Sequence, residues 1–274
     1  MKIRLILLSI LFFSIIGCKT VSNSTEKITN SPEKTVIPPK EHTVQSLLWQ
    51  QQAAEYKALC HQAYNIAKLR LDSLLLKQYD KPVAIVTDID ETVLDNSAYN
   101  ARMVQSNRGF TKESWLAWGK ELKAKAIPGA LDFFQYAARK GVTIFYLSNR
   151  YDEQKPETIL NLKKVGFPKV DPAHVLLRTH TGRKKPRRDL VAENYTIILL
   201  FGDNLSDFSE AFDKQPTAKR NALVDQLQGE FGKKFIILPN PMYGDWENQG
   251  IYEGKYSWSA RQKDSIRKAK LRLN

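Results

Sequence analysis

The chain has 274 residues, 42% of them hydrophobic, with 42 Lys and Arg against 29 Asp and Glu and a formal net charge of +13. That length suits one large α/β domain or two small ones, and the apolar content excludes a chain that is disordered throughout. The basic balance favours an anionic partner (substrate, nucleic acid or lipid) and by itself chooses none of them.

The N-terminus reads as an export signal. Met1-Lys2-Ile3-Arg4 is basic, and residues 5–16 form an almost wholly apolar core too short to span a bilayer stably. Ile15-Ile16-Gly17-Cys18 then resembles a bacterial lipobox, which predicts removal of residues 1–17, lipidation of Cys18 and attachment to a membrane of the cell envelope. Each buried methylene of an acyl chain contributes about 0.8 kcal/mol, so several chains hold a protein on a membrane. Cleavage removes Lys2 and Arg4 and no acid, leaving +11. Residues 18–43, rich in Ser, Thr, Asn, Pro and Lys, have the composition of a flexible tether. The second cysteine, Cys60, lies among Ala58, Leu59 and Ala63 in a helical pattern and is expected to be a buried thiol. The four histidines, His42, His61, His174 and His180, lack the spacing of a zinc site.

From about residue 43 to 79, Leu47, Leu48, Ala54, Leu59, Ala63, Ile66, Leu69 and Leu74 recur at helical spacing and predict one or two long helices. Strands and helices then alternate. Strands are expected at 83–87, 142–147, 174–177, 196–201 and 234–238, and helices at 112–125, 130–139, 155–165, 187–193 and 218–228. Such alternation predicts an α/β fold built on a doubly wound parallel sheet with helices on both faces. The segment 97–129 is long for a strand-to-helix connection and carries Trp115 and Trp118 on a helical pattern, which predicts a small helical cap over the sheet edge. Residues 257–274 read as a basic helix or tail with a solvated face.

Chemistry concentrates at the predicted strand ends. Val83-Ala84-Ile85-Val86-Thr87 delivers Asp88 and Asp90, two carboxylates that repel each other unless a cation or a shared proton relieves them. The next strand ends in Ser148-Asn149-Arg150, a hydroxyl and donors able to hold a phosphate oxygen. Ile197-Ile198-Leu199-Leu200-Phe201 ends in Gly202-Asp203-Asn204-Leu205-Ser206-Asp207, with two acids suited to a hard cation such as Mg²⁺. Between them lies Arg183-Lys184-Lys185-Pro186-Arg187-Arg188, from which one Lys can reach a phosphate as a point charge. Ligands of open α/β sheets bind at this edge, so the four features can share one site.

The order Asp88-x-Asp90-x-Thr92, Ser148, Lys, Gly202-Asp203-Asn204-x-x-Asp207 resembles the haloacid dehalogenase (HAD) superfamily, whose fold is Rossmann-like. More narrowly, Asp-Ile-Asp-Glu-Thr-Val-Leu-Asp-Asn-Ser and Phe-Gly-Lys-Lys-Phe-Ile-Ile-Leu-Pro-Asn-Pro-Met-Tyr-Gly-Asp-Trp-Glu are similar to the bacterial class C acid phosphatases, lipoprotein 5′-nucleotidases named for four aspartates. The resemblance places a catalytic domain at 44–256. It implies Asp88 as nucleophile and metal ligand, and Asp90 as general acid and base that also lends its backbone carbonyl to the metal. It further implies Ser148 and Lys184 on phosphate, Asp203 on Mg²⁺ and Asp207 in support one layer out. Lys184 is preferred to Lys185 because family members carry Lys-x-x-Arg before a helix. Trp115 and Tyr243 take the positions of aromatics that sandwich a nucleobase, with Trp118 as the residue more suited to the cap core.

The function implied is a Mg²⁺-dependent hydrolase of phosphate monoesters, 5′-nucleotides above all, working through an aspartyl-phosphate. An aspartic acid near its ordinary pKa of about 3.9 is mostly protonated only in acid, so an acidic optimum is expected. Its partners are small phosphate monoesters and, through the N-terminal lipid, a membrane, most naturally the outer membrane or the periplasmic face; no nucleic acid polymer is expected, and no motif sets the oligomeric state. Two alternatives remain open at the level of sequence. One is a non-catalytic lipoprotein binding haem or nucleic acid, against which the complete set of acids argues. The other is a phosphotransferase passing the phosphoryl group to an alcohol.

Overall fold

The computed structural model describes residues 37, 38 and 40–273; the expected signal peptide, Cys18 and most of the expected tether lie outside them. Glu41–Thr43, assigned to the tether by composition, form a 3₁₀ turn in which Thr43 is buried and its hydroxyl donates to the Lys40 carbonyl at 2.7 Å. Two helices follow, α1 (Val44–Gln52) and α2 (Ala54–Leu74), separated where Ala53 takes an extended ψ of 128°. In α2 the stripe Tyr56, Cys60, Tyr64, Ala67 and Leu71 is buried, three or four residues apart, as one helical face requires. Cys60 is a buried free thiol there, and its burial pushes the pKa up to about 11.

The remaining elements are β1 (Val83–Thr87), β2 (Leu94–Asp95), α3 (Ser97–Gln105), α4 (Lys112–Glu121), β3 (Lys125–Ala126), α5 (Ala130–Arg139), β4 (Thr143–Tyr151), α6 (Lys155–Val165), β5 (Val175–Arg178), α7 (Lys185–Asn194), β6 (Thr196–Gly202), α8 (Thr217–Gln226), β7 (Phe235–Ile237) and α9 (Ala260–Ala269). Five strands form a parallel sheet in the order β5-β4-β1-β6-β7. The period of two along each strand divides the apolar residues between two cores. Ile85, Ile144, Tyr146, Leu199 and Phe201 face α2 and α5, while Ala84, Val86, Phe145, Leu147 and Leu200 pack with Val191 of α7 and Phe208. The chain leaves β1 for β4 on one side and later returns to β6 on the other, so the strand order reverses at β1. That reversal opens a crevice beyond the C-terminal ends of β1, β4 and β6.

Three elements differ from the sequence expectation. The helix expected over 112–125 ends at Glu121, where Leu122 turns left-handed at φ 52°, and β3 instead pairs with β2 as a short antiparallel ribbon at the base of the cap. The cap contains a second helix, α3, before α4. Strand β4 runs on to Tyr151 instead of ending at residue 147, so Ser148, Asn149 and Arg150 belong to the strand itself. Alternation then turns Ser148 and Arg150 to the same buried face and leaves Asn149 exposed. Among the described residues, no helix is long and apolar enough to cross a membrane.

Candidate active site

At the end of β1 the backbone bends sharply. Glu91 sits at φ 56°, a left-handed conformation uncommon outside glycine, and the chain turns there just after Asp88 and Asp90. Asp88 points toward β6 and Asp90 toward β4, and their surroundings differ.

Asp88, Asp203 and Asp207 form one cluster, each offering a carboxylate oxygen within 4.8 Å of the others. Asp207 returns to the cluster because Leu205–Asp207 make a 3₁₀ turn and its Oδ2 accepts the Asn204 N–H at 3.0 Å. Gly202 is required there, since a Cβ at that position would overlap the Asp207 side chain. Asp203 accepts from Asn240 Nδ2 at 2.7 Å and from the Thr92 hydroxyl at 3.2 Å. Lys184, almost fully buried, donates to Asp88 and to Asp207, the latter at 2.6 Å. Lys185 lies outside the crevice, exposed and paired with Asp189 at 2.6 Å. Burial pushes Asp88 well above the usual carboxylate range; Lys184 opposes the shift, and Asp207, Asp203 and Asp90 add to it. Burial and then Asp207 push Asp203 up to about 6. Burial alone would lower Lys184, but Asp207 and Asp88 outweigh it and the net shift is upward.

Asp90 lies apart from this cluster. Its carboxylate accepts from Arg150 Nη2 at 2.8 Å and Nε at 3.0 Å, from Asn96 Nδ2 at 2.8 Å and from the Ser148 hydroxyl at 3.1 Å. The Arg150 side chain, read from sequence as a donor for phosphate, is therefore committed to Asp90. The basic run 183–188 likewise divides by role. Arg187 donates to the Ser148 carbonyl at 2.5 Å and to Asn149 at 2.7 Å, and Arg188 donates to the Asp207 carbonyl at 2.9 Å. Arg187 thus braces β4, Arg188 braces the turn that carries Asp207, and Lys184 enters the crevice.

The resemblance implies Asp207 one layer out from a cation, whereas its carboxylate stands within the cluster. The carboxylate cluster is Asp88, Asp203 and Asp207, with Asp207 inside it, while the Asp90 side chain faces Arg150. An all-oxygen, charged donor set suits a hard divalent cation. Four carboxylates here face two buried cations, Lys184 and Arg150, so the site carries an excess of negative charge that a dication fits.

The cap meets the acid side of the site. Trp118 is buried in the cap core and its indole N–H donates to Asn96 Oδ1 at 2.8 Å. Trp115 is half-buried, edge-on to Tyr99 with ring centroids 5.0 Å apart, and its ring lies 5.4 Å from the Arg150 guanidinium carbon. Tyr243, also half-buried, donates its hydroxyl to the fully buried Glu91, whose pKa burial raises well above the ordinary value. Glu91, Asn96 and Asn240 are site residues that sequence reasoning passed over. Asn96 and Asn240 lie within the two long motifs, but nothing in sequence spacing links residue 96 to 90 or residue 240 to 203.

The family described as HAD superfamily, subfamily IIIB (Acid phosphatase) matches residues 17–246. The class C acid phosphatase from Bacillus anthracis is 42% identical, with a TM-score of 0.84 over 87% of this chain and 100% of its own, and its structure with tungstate bound matches equally. The Stem 31 kDa glycoprotein of Glycine max is 26% identical over 218 residues, covering 77% of this chain and 75% of the relative. Acid phosphatase 1 of Solanum lycopersicum is 26% identical over 166 residues, 58% of this chain and 57% of that protein. A doubly wound sheet with a carboxylate cluster and a buried lysine at its switch point defines, with these relatives, a phosphomonoesterase. The chain belongs to the HAD superfamily, subfamily IIIB, and is an acid phosphatase.

Proposed function

We propose that the protein is a Mg²⁺-dependent 5′-nucleotidase that works through an aspartyl-phosphate and is held on the cell envelope by a lipidated Cys18. The observation that supports it most is the convergence of the Asp88, Asp203 and Asp207 carboxylates, two of them paired with Lys184, with Asp90 on the opposite wall. Asp88, Asp203 and Asp207, with the Asp90 backbone carbonyl, are the groups that would hold Mg²⁺, which supplies positive charge to offset the repulsion between a phosphate dianion and a carboxylate. The tungstate in the Bacillus anthracis enzyme is a tetrahedral oxyanion like phosphate and accords with an anion site of this kind.

Lys184 neutralises charge on the phosphoryl oxygens, and Ser148 donates to one of them when its hydroxyl turns from Asp90 to the bound substrate. Asp88 attacks phosphorus in line, and Asp90 gives its proton to the leaving oxygen, then takes one from the water that hydrolyses the aspartyl-phosphate. Trp115, beside Arg150, and Tyr243, bonded to Glu91, would supply flat apolar surface for a nucleobase. Phosphate release from a panel of monoesters, with Mg²⁺ and with EDTA, tests the reading: nucleotides should lead, and EDTA should stop turnover. Full activity in EDTA removes the metal. Cys18→Ser should free the protein from washed membranes with its activity intact, and retention there would assign the anchor to another segment.

A further inference from the structure

We infer that Arg150 is the positioning residue of proton donation: it holds Asp90 for the leaving group and links that group to the cap. This deepens the proposal that Asp90 is the general acid and rests on it. The observation is a fork. Arg150 Nε and Nη2 both donate to the Asp90 carboxylate, at 3.0 and 2.8 Å, while Nη1 donates to the Thr158 hydroxyl at 3.3 Å and Nη2 also reaches Asn96 Oδ1 at 3.4 Å. The Arg150 side chain is only 2% exposed, so its geometry is set by packing and leaves no freedom to follow a substrate. Its Trp115 neighbour and the Asn96–Trp118 bond belong to the cap, whereas Ser148 and Thr158 belong to the core. Asp90 is thus held from both sides, and Arg150 touches both.

The chemical consequence follows from where charge develops. As the Asp88 oxygen bonds to phosphorus, the ester P–O bond breaks, the leaving oxygen takes the Asp90 proton, and Asp90 is left as a carboxylate. A guanidinium already in bidentate contact stabilises that carboxylate as it forms, more than it stabilises the neutral acid, and needs no reorganisation to do so. Its contribution therefore grows with the leaving group's need for a proton. An alkoxide or ribose oxygen needs one, and a nitrophenolate leaves without it.

The test compares kcat/KM, which reports the steps through loss of the leaving group, for glycerol phosphate and for 4-nitrophenyl phosphate in Mg²⁺-loaded enzyme. Asp90→Asn should lose about 10²–10⁴-fold on glycerol phosphate and far less on the aryl ester. Arg150→Met should show the same selectivity, with at least about a tenfold greater loss on glycerol phosphate than on 4-nitrophenyl phosphate. Arg150→Lys, which keeps the charge and loses the fork, should fall between Arg150→Met and wild type, and it decides the matter if Arg150→Met does not fold. Equal losses on both substrates in the folded Arg150 variants, with Asp90→Asn selective, would overturn the inference and leave Asp90 as the acid. Equal losses in Asp90→Asn as well would remove the general-acid assignment itself.

Discussion

The two walls of the crevice solve opposite electrostatic problems. On the β6 side, three clustered carboxylates, Asp88, Asp203 and Asp207, have one lysine among them, paired with Asp88 and Asp207, and remain under-neutralised. On the β4 side, Asp90 has a full complement of partners from Arg150, Ser148 and Asn96. Both acids come from one short loop, two residues apart, so the contrast arises from what the other strands bring. An attacking group needs charge relief that a bound cation can bring with the substrate, whereas a proton donor needs a fixed direction that protein can build in permanently.

The crowded wall breaks most completely at its centre. Asp88→Asn removes the carboxylate proposed to attack while relieving repulsion, so turnover should fall by more than about 10⁴-fold in a protein that still folds. Phosphate release together with a thermal melt checks both halves, and wild-type activity in the folded variant ends the nucleophile assignment. Asp203→Ala thins the same wall by one ligand. Its activity at low Mg²⁺ should drop by more than about a hundredfold and recover in part as Mg²⁺ is raised. A loss insensitive to Mg²⁺ would move Asp203 out of the metal site.

The two aromatic residues proposed to hold the base should respond by substrate class. Stacking of a base on an aromatic ring is worth roughly 1–3 kcal/mol, so Trp115→Ala or Tyr243→Ala should lower kcat/KM on 5′-nucleotides by about tenfold to a hundredfold. Glycerol phosphate should be affected far less, with purines and pyrimidines suffering together. Because the Tyr243 hydroxyl donates to Glu91, Tyr243→Phe separates the ring from its tether. It should retain most nucleotide activity if the ring carries the binding.

The smallest effect is on stability. Asp203 is pushed up to about 6, against 3.8 in an unfolded chain, so between those values the folded protein holds more protons than the unfolded one. Stability of the metal-free protein must then fall as pH rises through that window. From pH 5 to 7.5 this group accounts for roughly 1 kcal/mol, or about 2–4 °C in Tm for a domain of this size. EDTA-treated protein should melt higher at pH 5 than at 7.5, and Mg²⁺ should raise Tm at 7.5. A Tm that does not fall over that range would mean the crowded wall is less strained than its geometry implies.

Much of this was legible in the chain itself. Alternating apolar runs and helical stripes specify the doubly wound sheet, because the periods of two and 3.6 are local properties. Expected strand ends carrying Asp88, Ser148 and Asp203 mark the crevice for the same reason, since a parallel sheet gathers its C-terminal ends on one edge. Position within a motif also favours Lys184 over Lys185, and Lys184 is the one that enters the crevice. What sequence could not assign was direction. Whether β4 stops at residue 147 or runs to Tyr151 decides whether Arg150 is a loop donor for phosphate or a strand side chain sharing a face with Ser148. The end of a strand depends on pairing with a neighbour far along the chain. Asn96, Asn240 and Glu91 were hidden for the related reason that their partners, at 90, 203 and 243, are met only through folding. Which residue types are present and at what period is a one-dimensional property. Which carboxylate is crowded and which is satisfied depends on distances across the sheet edge, and only the tertiary structure sets those.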